Sequence, residues 1–252
     1  MTGVHPVPRG YTRFQTAGAD VVALATCAAG VRQALAGGSL HSYAASHPHR
    51  RELRGRGKAY AVPLPGDAAR VVVRHSQHGG LLAPVTSDRF FAPTRAPHEL
   101  SVALQLAAAG VPTPDVVAYA TYPAWLGAFQ RADVATREIV GGRDLANALG
   151  KGSRPRDLTQ IIAATTTLLR ALERAGARHP DLNLANVLIA GDPPEGIVID
   201  VDRIVFESPG PSVGAANVRR LLRSARKLRE LGRIDVTEQE LGTLASSAGH
   251  AP

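Results

Sequence analysis

An α+β protein of two lobes, β-rich on its N-terminal side and helical on its C-terminal side, is what the sequence predicts, and three features predict it. Short β-branched runs separated by turn residues fill the stretch from about residue 59 to 140. Apolar patterns of helical period dominate the second half of the chain, over 157 to 176 and again over 218 to 231. Gly141-Gly142 stands between the two regions as a flexible break. The expected division is an accessory helical extension over residues 1 to 37, a β-rich lobe over 38 to 140, and a helical lobe over 143 to 252.

Each element has its own signal. Val21 to Val31 is the longest early apolar run. It is far short of the roughly 20 apolar residues of a membrane span, and Asp20 interrupts it where a secretory core would be unbroken, so no targeting signal is expected. The basic segment "HRRELRGRGK" runs from His49 to Lys58. "KAYAVPL" and "ARVVVRH" then predict a hairpin, with Pro65-Gly66-Asp67 as its turn. After Pro97, Leu100, Ala103, Leu104 and Ala107 recur at helical spacing, with Gly110 as a stop. "DVVAYATY" and "DVATREIV" predict two more strands.

In the second half, Ile161, Ala164, Leu168, Leu169 and Leu172 share one face of a helix that Gly176 caps. "NVLIA", a turn at Gly191-Asp192-Pro193-Pro194 and "GIVIDVD" predict a second hairpin. The helix over Val218 to Leu231 carries Leu221, Leu222, Ala225 and Leu228 on one face. Arg219, Arg220, Arg223, Arg226, Lys227 and Arg229 lie on the other.

Composition bounds what such a protein can do. At 252 residues, with 44% apolar and 20% charged residues, the chain has the make-up of a soluble globular protein able to bury a sizeable core. Cys27 is the single cysteine, which excludes an internal disulfide and a cysteine-built zinc site and suits a reducing cytoplasm. The net charge of +8 favours polyanionic partners: nucleotide phosphates, an anionic membrane face or nucleic acid. Only 11 aromatic residues occur and none interleaves with the basic runs, which argues against base-stacking nucleic-acid platforms.

The chemistry-bearing stretch is "HPDLNLANVLI", residues 179 to 189. Asp181 and Asn186 precede a strand whose hairpin partner ends at Asp200, so a carboxylate, a carboxamide and a second carboxylate are expected at one end of that hairpin. Mg²⁺ prefers hard oxygen ligands and retains waters, so Asn186, Asp200 and nucleotide phosphates would complete its shell. Asp181 is left to accept a proton from, or orient, an attacking hydroxyl. His179 is expected to be structural, hydrogen-bonded to nearby backbone.

These residues carry a resemblance. "HPDLNLAN" resembles the protein-kinase catalytic loop H-R-D-L-x-x-x-N, with Asn183 where the lysine is usual, and "IDVD" stands where D-F-G stands, with Asp202 in place of the glycine. "GRGKAY" resembles a glycine-rich loop through Gly55 and Gly57, with Tyr60 where the third glycine would fall. "VVVR" puts Arg74 in the position of the ATP-binding lysine, and Glu99 is placed like the helix glutamate that pairs with it. More narrowly, "VVVRHSQHGGL", "HPDLNLANVLI", "VIDVDR" and "NVRRLLRSARK" resemble the lipopolysaccharide kinases, and among them the 3-deoxy-manno-octulosonic acid (Kdo) kinases.

The resemblance implies a two-lobed protein-kinase-like fold with ATP and Mg²⁺ between the lobes. It implies Asp181 as catalytic base, Arg74 on the phosphates with Glu99 as its partner, and Gly55 and Gly57 about the nucleotide. Asn186 and Asp200 would be metal ligands. Only 52 residues come after Asp200, fewer than peptide-docking kinases use, which points to a small-molecule or glycolipid sugar acceptor such as the lipopolysaccharide inner core. The expected setting is the cytoplasm, with the basic helix packed on the helical lobe and its basic face in water; contact of that face with anionic lipid at the inner membrane is the alternative. The altered glycine loop and Arg74 motivate an alternative, a catalytically silent kinase-like module that binds nucleotide or another anion.

Overall fold

The computed structural model describes residues 6 to 53, 58 to 67, 69 to 75, 94 to 124, 129 to 150 and 155 to 250. The chain forms two compact units, Met1–Ser101 with Asp115–Glu138, and Val102–Pro114 with Ile139–Pro252.

The first unit is built on a seven-stranded antiparallel sheet. Its strands are β1 (Tyr11–Thr16), β2 (Ala19–Leu24), β3 (Arg51–Leu53), β4 (Ala59–Pro63), β5 (Arg70–His75), β6 (Val116–Ala124) and β7 (Phe129–Arg137), in the order β1-β2-β6-β7-β5-β4-β3. Helices α1 (Ala28–Leu35) and α2 (Leu40–Ser46) complete its core. The helix α3 (Ala96–Ala108) begins in this unit. The β4 to β5 hairpin has the expected turn and runs from Ala59 opposite Arg74 to Pro63 opposite Arg70.

The helical extension expected over residues 1 to 37 is corrected by this sheet. Residues 11 to 24 are a hairpin, and among the described residues of this stretch only Ala25 to Leu35 is helical. The reason lies in the turn and in the strand after it. Ala17 and Gly18 both take positive φ, 49° and 75°, the paired left-handed geometry that matches the twist of two-residue hairpins. The β2 side chains of Val21 and Ala23 are then buried with Val31 and Leu35 of α1 and Val117 and Ala118 of β6. An apolar run read as helix is a strand because its neighbours offer a sheet edge to pair with and a helix to lie under.

The second unit is mostly helical. Its elements are β8 (Arg143–Asp144), α4 (Leu145–Ala148), α5 (Pro155–Arg174), β9 (Ala177–Arg178), β10 (Val187–Ala190), β11 (Glu195–Val198), β12 (Val205–Phe206), α6 (Pro211–Glu230) and α7 (Glu238–Ser247). The predicted face of α5 is buried at Ile161, Ala164, Leu168, Leu169 and Leu172, and Gly176 sits just past it in the left-handed conformation.

The β10 to β11 hairpin lies directly on α5, and one residue makes that approach feasible. A Cβ on Gly196 would sit 2.8 Å from the Ala164 carbonyl oxygen and 3.2 Å from the Leu168 Cβ. Only glycine lets the strand backbone reach the helix backbone this closely. That seating fixes the open end of the hairpin, where Asn186 leads in and Asp200 leads out. The short strand β8 pairs with β10 on its other edge through Leu188 and Asp144.

Candidate active site

In the second unit, the stretch from His179 to Asn186 is held by its own side chains and by helix α6. Leu182 and Leu184 are buried and anchor it to the core. Asn183 caps the 3-10 turn Leu184–Asn186, its Oδ1 accepting from the Ala185 amide at 2.9 Å. The Nδ2 groups of Asn183 and Asn186 both donate to the carbonyl of Asp181, at 2.9 and 3.0 Å. Residue 181 is thus fixed through its backbone, independently of its carboxylate. Donating through nitrogen also fixes the Asn186 Oδ1 as the open oxygen of that amide.

Asn217 of α6, completely buried, ties the start of the loop down. Its Oδ1 accepts from the His179 amide and its Nδ2 donates to the Ala177 carbonyl, both at 2.9 Å. Arg220, one turn further along the helix, donates from Nη2 to Asp181 Oδ1 at 2.9 Å. Sequence reasoning placed Arg220 on a solvent face and gave Asn217 no role. Their positions i and i+3 on one helix were the available signal, since that spacing puts both on one side.

The hairpin brings Asn186 and Asp200 to its open end. Val187 pairs with Val198, and the Ile199 amide donates to the Asn186 carbonyl at 2.9 Å, so Asp200 is the next residue out. Asp200 has φ 60° and ψ 46°, left-handed for a residue with a side chain. Aspartate tolerates this better than most, and such outliers gather at functional sites. Asp181 and Asn186 are joined by a hydrogen bond, and Asp200 comes directly after the residue paired with Asn186.

The donor set fits a hard divalent cation only in partnership. Among the described residues no group of three or more His, Cys, Asp or Glu could hold a metal. One carboxylate and one amide oxygen leave most of a Mg²⁺ shell to phosphates and water, as that ion prefers.

His179 is 1% exposed. Its Nδ1 accepts from the Asp181 amide at 3.3 Å, and its Nε2 is buried without a well-formed hydrogen bond. Burial holds its pKa below the ordinary 6.5, against the opposing pull of the Asp200 carboxylate and the Ile199 carbonyl. A histidine depressed in the folded state supports stability above the unfolded pKa, and that support is lost as pH falls from about 6.5 through the folded value. Urea midpoints measured from pH 8 down to pH 5 should therefore fall more steeply for the native protein than for His179→Gln. Parallel curves would exclude a buried neutral His179.

In the first unit, Arg74 and Glu99 meet as the sequence expects of a lysine and its helix glutamate. The Arg74 Nη2 lies 2.5 Å from Glu99 Oε1, and Glu99 is 3% exposed in the first turn of α3. Arg74→Met removes the guanidinium from a buried carboxylate, which should lower unfolding stability by about 3 kcal/mol. Adding Glu99→Gln should recover most of that loss. Gly55 and Gly57 lie outside the described residues.

A second polar cluster in this unit went unread in the sequence. His75 Nδ1 lies 2.5 Å from Asp133 Oδ1, His41 stacks on His75 at 3.7 Å, and the His41 amide donates to Asp133 Oδ2 at 2.9 Å. His75 alternates with Arg74 along β5 and so faces the side on which Val71 and Val73 are buried. The cluster fastens α2 to the sheet.

The basic face of α6 is narrower than the sequence suggests. Arg220 is held by Asp181, while Arg226 and Arg229 are both held by Glu238 of α7. Arg219, Arg223 and Lys227, spaced at i, i+4 and i+8, remain as an exposed stripe. Among the described residues no helix is long and apolar enough to cross a membrane.

Comparison with known proteins adds to this geometry. A model of the lipopolysaccharide kinase (Kdo/WaaP) family matches residues 46–247. The chain is 33% identical to the 3-deoxy-D-manno-octulosonic acid kinase of Vibrio vulnificus (strain CMCP6) over 180 residues, 69% of this chain and 72% of that one. It is 30% identical to the enzyme of the same name from Haemophilus influenzae (strain 86-028NP) over 203 residues, 77% and 82% of the two chains. Among solved structures it is similar to WaaP in complex with acyl carrier protein, with a TM-score of 0.54, 17% identity, and coverage of 88% of this chain and 86% of that one. Such a likeness shows a shared fold, and that fold is the α+β kinase-like one expected from the sequence.

Proposed function

The chain belongs to the lipopolysaccharide kinase (Kdo/WaaP) family, and we propose that it moves the γ-phosphoryl group of ATP to a hydroxyl of 3-deoxy-D-manno-octulosonic acid or a related inner-core sugar. The observation that supports this most directly is the loop in which Asn183 and Asn186 pin the Asp181 backbone while its carboxylate lies beside Arg220.

In this reading the acceptor oxygen attacks the γ-phosphorus, the bond to the ADP oxygen breaks, and the hydroxyl proton passes to the Asp181 carboxylate and then to solvent. Asn186 and Asp200 would hold Mg²⁺, which supplies neutralisation of phosphate charge. Arg74 would bind phosphate oxygens, a role suited to a permanently charged planar fork. The fold leaves little covalent chemistry to the protein, so catalysis is positioning and charge compensation.

The exposed stripe of Arg219, Arg223 and Lys227 supports an encounter with the anionic cytoplasmic face of the inner membrane, each cation contributing about 1 kcal/mol near the surface. The test of the reaction is direct. With γ-labelled ATP, Mg²⁺ and a methyl glycoside of 3-deoxy-D-manno-octulosonic acid, label should appear on the sugar and vanish on chelation of the metal. Nucleotide binding without transfer to any sugar acceptor would favour the silent module instead.

A further inference from the structure

We infer that Arg220 is an acceptor-specificity residue, binding the carboxylate of an acidic sugar beside the hydroxyl presented to Asp181; this rests on the sugar-kinase reading above. Among the described residues the guanidinium of Arg220 has one hydrogen bond, from Nη2 to Asp181 Oδ1 at 2.9 Å, and its Nε is buried with no partner. Its side chain is 39% exposed. One of its four Nη hydrogens is engaged among these residues, so a charged, forked donor faces solvent next to the proposed base.

An arginine that also receives a second anion has this arrangement, because a planar fork binds a carboxylate through two parallel N–H groups. Arg223, one turn on along the same side of α6, adds positive potential there. The loop residue Asn183, which stands where protein kinases carry a lysine, brings no charge, whereas Arg220 brings one to Asp181.

The chemistry then selects the ligand. A neutral hexose places a hydroxyl at Asp181 but gives Arg220 nothing to grip. A sugar acid whose carboxylate lies a few ångströms from the accepting hydroxyl engages both. Its carboxylate is drawn to the guanidinium while its hydroxyl faces the Asp181 oxygens, so a single residue both orders the base and orients the acceptor.

The experiment compares two probes, the methyl glycoside of 3-deoxy-D-manno-octulosonic acid and its carboxyl methyl ester, with native protein and Arg220→Met. Native protein should show a KM for the acid roughly tenfold or more below that for the ester, the worth of a charge-assisted hydrogen bond. Arg220→Met should raise the KM for the acid toward that of the ester and so collapse the acid-to-ester ratio of kcat/KM, on top of any loss common to both probes. Equal losses in kcat with both probes and no shift in their ratio would mean Arg220 only props Asp181, and would overturn the assignment. Arg220→Lys, which keeps charge without the fork, should recover part of the preference. Nucleotide-free binding, read by saturation-transfer NMR, separates the two readings. Acid binding that Arg220→Met abolishes sustains the specificity role even if native protein transfers no phosphate, whereas acid binding that is absent, or unchanged in the variant, removes it.

Discussion

Asp181→Asn should lower phosphoryl transfer by roughly 10²- to 10⁴-fold and leave the protein folded, the range expected on removal of a general base such as the one proposed at Asp181. The substitution isolates the carboxylate. The backbone carbonyl that Asn183 and Asn186 hold is retained, and the new amide oxygen can still accept from Arg220. The ion pair it weakens is partly solvated on both sides, so stability should change by less than about 1 kcal/mol. Transfer rates at saturating ATP and acceptor, set beside urea unfolding curves, give the answer. A variant that transfers phosphate at the native rate would show that the loop is only a turn held by asparagines.

Asn217→Ala is the largest expected loss of stability. It leaves the His179 amide and the Ala177 carbonyl without partners where no solvent reaches, and it opens a small void. An orphaned buried polar group costs about 1 to 3 kcal/mol, so two of them should remove about 3 to 5 kcal/mol from the free energy of unfolding. Urea denaturation gives the number through the midpoint at constant slope. Asn217→Asp should restore the acceptor for the amide but set a carboxylate oxygen against a carbonyl, and it should fall between the two. A change of under about 1 kcal/mol on Asn217→Ala would mean that water takes over both groups.

Much of this was legible in the sequence because local rules and tertiary demands agree. The β4 to β5 hairpin, helix α5 and the β10 to β11 hairpin each have turn residues and apolar periods that point the same way. Asp181, Asn186 and Asp200 could be read together because a hairpin with a short turn must return its end to its beginning. Glu99 could be paired with Arg74 only through resemblance, since 25 residues separate them and no periodicity joins a strand to a helix.

What escaped was decided by partners remote in sequence. Residues 11 to 24 form strands because β6 pairs with β2 from Asp20 to Ala23 and β2 in turn pairs with β1, while their apolar run alone fits a helix equally well. Arg220 looked like one of six cations on a wet face until Asp181, 39 residues earlier, claimed it. Helix α7 had a usable signal that went unread. Thr237 and Glu240 form a capping box, the T-x-x-E spacing that announces a helix start.

The hairpin of β1 and β2 has a practical consequence for anyone shortening this chain. The stretch shared with the family begins at residue 46, and a gene trimmed to that point would look complete by homology. It would delete the strand that pairs with β6 from Ala118 to Thr121, along with both helices roofing the sheet. Bare backbone and apolar side chains at that rim would invite self-association, so preparations meant for crystals or assays must retain the amino-terminal 45 residues.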